Sequence, residues 1–352
     1  MSDKKTTYRE HTDMENTLKL RQVLATLPPF CKDYFRAIDT TTTAKTRISY
    51  AYDIRIFFQF LLDENPAFKD HAMTDFTVDV LDQIKAVDLE EYQEYLKLYQ
   101  SGDKTETNGE RGLKRKISAL RSFYAYYYKR EMIHTNPTVL IDVPKIHEKS
   151  IIRLDTDEVA MLLDYIEHCG DTLTGQKRVF YEKTKERDLA IVTLLLGTGI
   201  RVSECVGLDI EDVDFKNNGI KVTRKGGNEM VVYFGPEVEK ALKRYLEVRE
   251  GITSLAGHEH ALFYSAQRKR IGVQAVENMV KKYSRQITTT KKITPHKLRS
   301  TYGTALYQET GDIYLVADVL GHKDVNTTKK HYAALDDARR RQAATAVKLR
   351  EE

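Results

Sequence analysis

At 352 residues the chain is long enough for two domains, each with a core of its own, and its formal net charge of +4 does not by itself announce a nucleic-acid binder. Met1 to Lys19 is polar and charged with no apolar centre, which argues against a signal peptide, and the longest apolar run, Leu189 to Leu196, is far too short to cross a bilayer. Three cysteines, Cys31, Cys169 and Cys205, are odd in number and far apart, which excludes a disulfide framework and indicates a reducing, cytoplasmic setting for a soluble protein.

In chain order, residues 1–22 read as a polar lead-in, frayed or weakly helical. Leu24 to Phe35 reads as a helix interrupted by Pro28-Pro29. Thr40 to Thr43 offers N-caps for a helix over Ala44 to Leu62, whose stripe includes Ile48, Ala51, Ile54, Phe57, Phe58 and Leu61, with Lys45 and Arg47 towards its exposed start. Asp75 to Leu81 fits either an extended or a helical segment. Asp88 to Tyr99 predicts an amphipathic helix, and Ser101 to Gly109 a loop. From Gly112 to Tyr128 the spacing of Leu113, Ile117, Leu120, Phe123 and Tyr127 is helical, and Arg111, Lys114, Arg115, Ser118 and Arg121 fall on the other side. Residues 23–140 thus read as an all-helical unit. Asn136-Pro137 closes it, and 141–153 reads as a linker.

Beyond the linker, Asp155 to His168 predicts a helix capped at Thr156, and Arg187 to Leu196 one apolar enough to be buried. The latter stops at Gly197-Thr198-Gly199, and a new helix opens around Arg201 to Val206. The period then changes: Ile220 to Arg224 and Met230 to Tyr233 alternate around a Lys225-Gly-Gly-Asn228 turn, a β-hairpin signature. Pro236 to Arg249 returns to helix, Ala261 to Ser265 reads as a short strand and Val273 to Ser284 as a helix. The unit runs over 154–336, and 337–352 reads as a basic helix with Ala338, Ala343, Ala344, Val347 and Leu349 as small and apolar contacts.

Thr294 followed by Pro295 reads as an N-cap and first helical position, which puts His296 and Arg299 three residues apart on one helix face at its positive end. A second imidazole, His322, follows a helix ended by Gly321, and Tyr332 comes about one short helix later. Arginine, histidine and tyrosine gathered together make a site that attacks phosphodiesters: cations hold the phosphate, imidazoles relay protons and a phenol supplies the nucleophile. Arg201, after its Gly-Thr-Gly turn, is either a phosphate clamp with Glu204 orienting it or a solvated residue at a tight turn. Lys225 at the hairpin tip is either a solubilising lysine or, swung by its flanking glycines, a general acid. From Lys281 to Arg299 there are seven Lys or Arg and no acidic residue, and Arg111 to Arg130 is nearly as one-sided, which suits contact with a phosphate backbone. His258-Glu-His260 lacks a third ligand cluster and reads as a loop, and no paired carboxylates mark a two-metal site, so neither metal nor cofactor is expected.

Gly197-Thr-Gly-Ile-Arg-Val-Ser-Glu204, Lys225 within Arg-Lys-Gly-Gly-Asn, Thr294-Pro-His-Lys-Leu-Arg299, Leu320-Gly-His322 and Tyr332 together resemble the tyrosine site-specific recombinases of the phage-integrase and Xer group. Lys185 to Ile191 and Val222 to Gly227 look most like the single-recombinase Xer branch. The resemblance implies a mainly α fold with a small antiparallel β-sheet: an all-helical N-terminal core-binding domain and an α+β catalytic domain. It implies that Arg201, His296, Arg299 and His322 polarise the scissile phosphate, that Lys225 protonates the 5′-hydroxyl leaving group, and that Tyr332 forms a 3′-phosphotyrosine link without metal or ATP. The interval from His322 to Tyr332 is one residue longer than the family's usual one. The implied partners are double-stranded DNA carrying a specific site and other copies of the chain, a homo-tetramer on two sites with a dimer on each, with room for accessory DNA-bending or directionality proteins. Candidate DNA contacts in the first unit are Lys45, Arg47, Arg111, Lys114, Arg115 and Arg121. The rivals are a DNA-binding regulator on the same fold, a type IB topoisomerase and a metal-dependent nuclease.

Overall fold

The computed structural model describes residues 7–147, 151–224, 227–322 and 324–326. The chain divides into two units, residues 1–148 and 149–352.

The first unit opens on a complete helix, α1 (Tyr8–Leu24), where the polar composition predicts a frayed or weakly helical lead-in. The cause is a reciprocal cap: the Glu10 N–H donates to Thr7 Oγ1 at 3.2 Å, and the Thr7 N–H donates to Glu10 Oε2 at 2.8 Å. Leu20 and Val23 then bury the end of α1 in the core. After Pro28-Pro29 come α2 (Cys31–Ala37) and α3 (Ala44–Glu64), the latter capped by Thr43 Oγ1 accepting from the Thr46 N–H. The short α4 (Val80–Gln83) leads into α5 (Ala86–Tyr95).

Here the outcome departs from the periodicity. The helix over Asp88 to Tyr99 ends four residues early, at Tyr95, and the expected loop holds a hairpin, β1 (Leu98–Ser101) and β2 (Lys104–Thr107). Ser101 pairs with Lys104 around a two-residue turn in which Gly102 takes φ +61°, a conformation glycine adopts without strain. α6 (Glu110–Tyr128) buries Leu113, Ile117, Leu120, Phe123 and Tyr127 as its spacing requires. The core is strongly aromatic. Tyr34 meets Phe123 edge to face at 5.2 Å, and the Tyr34 and Tyr127 hydroxyls donate to Ser122 Oγ and the Phe30 carbonyl, so each ring is buried with its polar end satisfied.

The second unit begins with α7 (Thr156–His168), whose N-cap is Asp155, one residue before the expected Thr156. The Asp155 N–H donates to Glu158 Oε2 at 2.8 Å, and the Lys291 ammonium binds both carboxylates. α8 (Gly175–Thr198) is far longer than the apolar run Arg187 to Leu196; only its second half is continuously buried. Within it, Arg187 grips Asp188 Oδ1 and the Tyr264 carbonyl, while Tyr283 donates to Asp188 Oδ2 at 3.0 Å, so the buried carboxylate is satisfied on both oxygens. α9 (Val202–Gly207) precedes an antiparallel sheet of order β3 (Val213–Asp214), β4 (Gly219–Thr223), β5 (Glu229–Tyr233). Thr223 pairs with Glu229, as the alternation on the two strands predicts; Lys225 and Gly226 of the expected turn lie outside the described residues.

α10 (Pro236–Glu250) packs along α8, and Gly197 permits it: a Cβ there would stand 2.4 Å from Val238 Cγ2. Ala261 to Ser265 is not a strand; it makes isolated bridges, Asp209 with Ala261 and Tyr264 with Arg270. Its peptide groups are divided between backbone and side chains: the Leu262 N–H donates to the Leu208 carbonyl and the Phe263 carbonyl accepts from the Ile271 N–H, while Arg249 takes the Ala261 and Leu262 carbonyls and Tyr245 accepts from the Tyr264 N–H. α11 (Val273–Ile287), α12 (Pro295–Thr310) and α13 (Ile313–Leu320) complete the described fold. The expected helix over 337–352 lies outside the described residues. Among the described residues no helix is long and apolar enough to cross a membrane, and no group of three His, Cys, Asp or Glu forms a metal cluster. His260 pairs through Nδ1 with Glu211.

Candidate active site

The site starts from the end of α8. Gly199 ends that helix in the left-handed region, φ +63°, and a Cβ on it would fall 2.4 Å from Tyr302 Cδ1 on α12. The glycine therefore serves twice, in turning the chain and in letting α12 approach. The turn delivers Arg201 to the N-cap of α9. Glu204, buried, accepts from the Arg201 N–H at 2.8 Å and from its Nη1 at 2.7 Å. Arg201 is thus a held guanidinium, with Glu204 fixing both its main chain and its head.

Arg299 comes from the second turn of α12, whose N-cap is Thr294 and whose first residue is Pro295. It is 5% exposed, and it donates through Nη1 to the Gly199 carbonyl and through Nη2 to the Leu320 carbonyl. A buried arginine tolerates that position because its donors are used. His296, one turn earlier, is exposed.

Both arginines meet at the end of α13. There Gly321 takes φ +61°, its N–H donates to the Asp318 carbonyl at 2.8 Å, and the His322 N–H donates to the Ala317 carbonyl at 2.9 Å, which is a Schellman closure. Such a closure leaves the last carbonyls partly unsatisfied and negative. Arg299 takes that of Leu320, and Arg201 Nη2 takes that of Gly321 at 3.3 Å. A third arginine, Arg224 at the end of β4, takes that of Val319 at 2.6 Å and reaches that of Asp318 at 3.5 Å. Three guanidiniums thus converge on four successive carbonyls immediately before His322. Burial draws the Arg224 pKa below the ordinary arginine value; Glu204 opposes that fall and the like charge of Arg201 adds to it.

Of the residues singled out from sequence, Arg201, Glu204 and Arg299 are brought together with the backbone of the Gly321–His322 turn, and His296 sits on the same helix as Arg299. Lys225 and Tyr332 lie outside the described residues. Arg224 is the residue sequence reasoning missed as a member of the site; its only signal was a basic side chain at a strand end.

In the first unit the six basic candidates divide. Lys45, Arg111 and Lys114 are exposed. Arg47 is paired with Asp39, and Arg115 with Asp53, a carboxylate that is buried and also receives Lys116 Nζ at 3.4 Å. Burial pushes the Asp53 carboxyl up while Arg115 and Lys116 hold it down. Arg121 donates to the Thr138 and Ile141 carbonyls at 3.0 and 2.7 Å, tying α6 to the end of the unit.

Against known proteins, residues 152–339 match the model of the phage integrase family. Over 92% of its length the chain is 33% identical to tyrosine recombinase XerC of Caldanaerobacter subterraneus, covering 88% of that protein. It is 31% identical over 90% of its length to tyrosine recombinase XerS of Lactococcus lactis, covering 93% of that protein. The chain belongs to the phage integrase family. Within that family it is a tyrosine recombinase of the Xer type, an enzyme of site-specific DNA recombination. In fold it is similar to XerH recombinase bound to a palindromic difH substrate, TM-score 0.61 at 21% identity over 86% of this chain and 79% of that one. It is likewise similar to the Tn1549 transposon integrase in complex with circular intermediate DNA, TM-score 0.61 at 19% identity over 86% of this chain and 94% of that one.

Proposed function

We propose that Arg201, Arg299, His296 and His322 bind and polarise the scissile phosphate of a duplex, that Tyr332 attacks it to form a 3′-phosphotyrosine link, and that Lys225 protonates the departing 5′-hydroxyl. The convergence of Arg201 and Arg299 on the Leu320 and Gly321 carbonyls, directly before His322, carries the reading. Carbonyls orient a guanidinium without cancelling its charge, so the positive charge of Arg299 stays available to the oxygens of a phosphate whose negative charge grows in the transition state, while Arg201, oriented by Glu204, still has donors beyond that pair. In that reaction one P–O bond forms as another breaks, and the tyrosine ester keeps the bond energy for religation. Reversal by a second strand's 5′-hydroxyl gives exchange through a Holliday junction, without ATP or metal.

Residues 23–140 of the first unit act as the core-binding half of a clamp on DNA, joined by 141–153 to the catalytic half over 154–336. Four copies act on two sites, a dimer on each, with 337–352 contacting a neighbour. The work takes place in the cytoplasm, as resolution of chromosome dimers or as integration and excision of a mobile element, with accessory DNA-bending or directionality proteins where the site requires them. A regulator on the same fold has no use for Tyr332, and a type IB topoisomerase relaxes DNA without a specific site.

A nicked suicide duplex carrying a palindromic candidate site, incubated in EDTA with wild type and Tyr332→Phe, tests the reading on a denaturing protein gel. A covalent DNA adduct with wild type alone is the expected result. Tight binding without an adduct would move the assignment to the regulator, and an adduct on any duplex regardless of sequence would move it to the topoisomerase.

A further inference from the structure

We infer that Arg224 is a positioning residue of the reaction: it clamps the Gly321–His322 turn at the end of α13 to the end of β4, and so sets where His322 stands beside Arg201 and Arg299. The inference rests on the proposed role of His322.

Four observations carry it. The main chain of Arg224 is a firm anchor, because its N–H donates to the Asn228 carbonyl at 2.8 Å and its own carbonyl accepts from the Gly227 N–H at 2.9 Å. From that anchor the side chain reaches the last turn of α13, holding the Val319 carbonyl at 2.6 Å with Nη2 and approaching that of Asp318 with Nη1. The guanidinium also fills the space over Gly321: a Cβ there would fall 1.2 Å from Arg224 Nη1. Gly321 is therefore required twice, by its φ of +61° and by the arginine lying against it. Finally, the placement is expensive. The head is partly buried beside the like-charged Arg201, and its Nε, shielded from solvent, has no hydrogen-bond partner among the described residues. A buried unpaired donor and a repelling neighbour are poor choices if stability were the sole demand. They are reasonable if the turn before His322 has to be held to a fraction of an ångström, since small misplacements of reacting groups cost large factors in rate.

Full-length Arg224→Ala and Arg224→Lys test this. Lysine keeps the charge but loses the fork that spans the turn. Both variants are expected to lower single-turnover cleavage of the suicide duplex on the order of 10- to 100-fold, with the DNA Kd within about 2-fold of wild type. Amides of residues 317–322 should exchange faster in both, which reads the turn itself whether or not any cleavage occurs. In a His322→Ala background, Arg224→Ala should cost no more than about 2-fold further, because the two act through one step.

Full cleavage in the lysine variant, unchanged exchange over 317–322, or an undiminished loss in the His322→Ala background would each overturn the inference. So would a weakening of the DNA Kd that accounts for the whole loss, which would make Arg224 a phosphate ligand instead. Failure of wild type to form an adduct counts against the reaction as proposed, and the exchange measurement then still decides whether Arg224 holds the turn.

Discussion

Both units gather cations on helices, but they bind them down differently. On α6 the positive charges of Arg115 and Lys116 converge on the buried Asp53 carboxylate, and Arg47 at the start of α3 is taken by Asp39. At the end of α13, Arg224 and Arg299 are held by backbone carbonyls, and Arg201 divides its donors between Glu204 and the Gly321 carbonyl. A carboxylate partner spends the charge on folding, whereas a carbonyl fixes the geometry and leaves the charge to act on something else. The difference separates cations neutralised within the fold from cations that are held in place but keep their charge.

The sharpest test of that contrast is Asp53→Ala. It should destabilise the first unit by about 3–5 kcal/mol, because it strands the buried Lys116, and urea unfolding followed on that unit measures it. A loss below about 1 kcal/mol would mean the pair behaves as a surface ion pair. Arg299→Ala should do the reverse. It is expected to reduce single-turnover cleavage on the order of 10²- to 10³-fold while DNA is still bound, as a suicide-duplex time course set beside a gel shift would reveal. Retention of cleavage within about 10-fold would show that its charge is not used on the phosphate.

Smaller effects should come from the exposed face of α6. Lys114→Ala is expected to weaken DNA binding uniformly across sequences and to lower the slope of log Kd against log salt by about one. Arg121, whose donors go to the Thr138 and Ile141 carbonyls, should on the same rule keep its charge available: Arg121→Ala is expected to lower that slope as well, and an unchanged slope would confine the contrast to the second unit. The smallest effect is a pH dependence. The Lys291 ammonium bonded to Asp155 holds its carboxyl below the usual 3.8. The folded value lies below the unfolded one, so the contribution is full above about pH 4 and is lost as the pH falls through the depressed value. Asp155→Asn should therefore flatten the acid side of the Tm profile and leave neutral pH nearly unchanged; an unaltered acid limb would show that the pair is screened by solvent.

Much of this was legible because local rules agreed with the tertiary outcome. Thr43 capped the helix whose stripe it precedes, the alternating residues on either side of 224–228 paired as two strands, and Arg201 lies against Glu204 while it and Arg299 reach successive carbonyls at the end of α13. What escaped was set by partners distant in sequence. Arg115 and Arg121 fall on the polar side of α6 by periodicity, yet long side chains carry their heads back to Asp53 and to the carbonyls of Thr138 and Ile141. Arg224 finds its acceptors 94 and 95 residues away, beyond any local pattern. The first half of α8 and most of α1 are polar on several sides, so the apolar stripe that reveals a helix is weak there, and in α1 a single capping box supplies what the stripe lacks. Ala261 to Ser265 has strand composition but splits its peptide groups between isolated backbone bonds and the side chains of Arg249 and Tyr245, so no continuous ladder forms.

The three cysteines are all buried, and burial pushes the thiol pKa of Cys205 up to about 12 and raises those of Cys31 and Cys169 as well. Thiolate, the form that alkylates, is therefore scarce at neutral pH. The chain also contains no tryptophan. Together these leave the native enzyme with poorly reactive thiols and no tryptophan emission of its own. A single cysteine placed on the exposed surface would take a maleimide dye with little competing label, and a single introduced tryptophan would report alone on its surroundings. Strand exchange by this enzyme can thus be followed with site-chosen reporters without first stripping residues from the core.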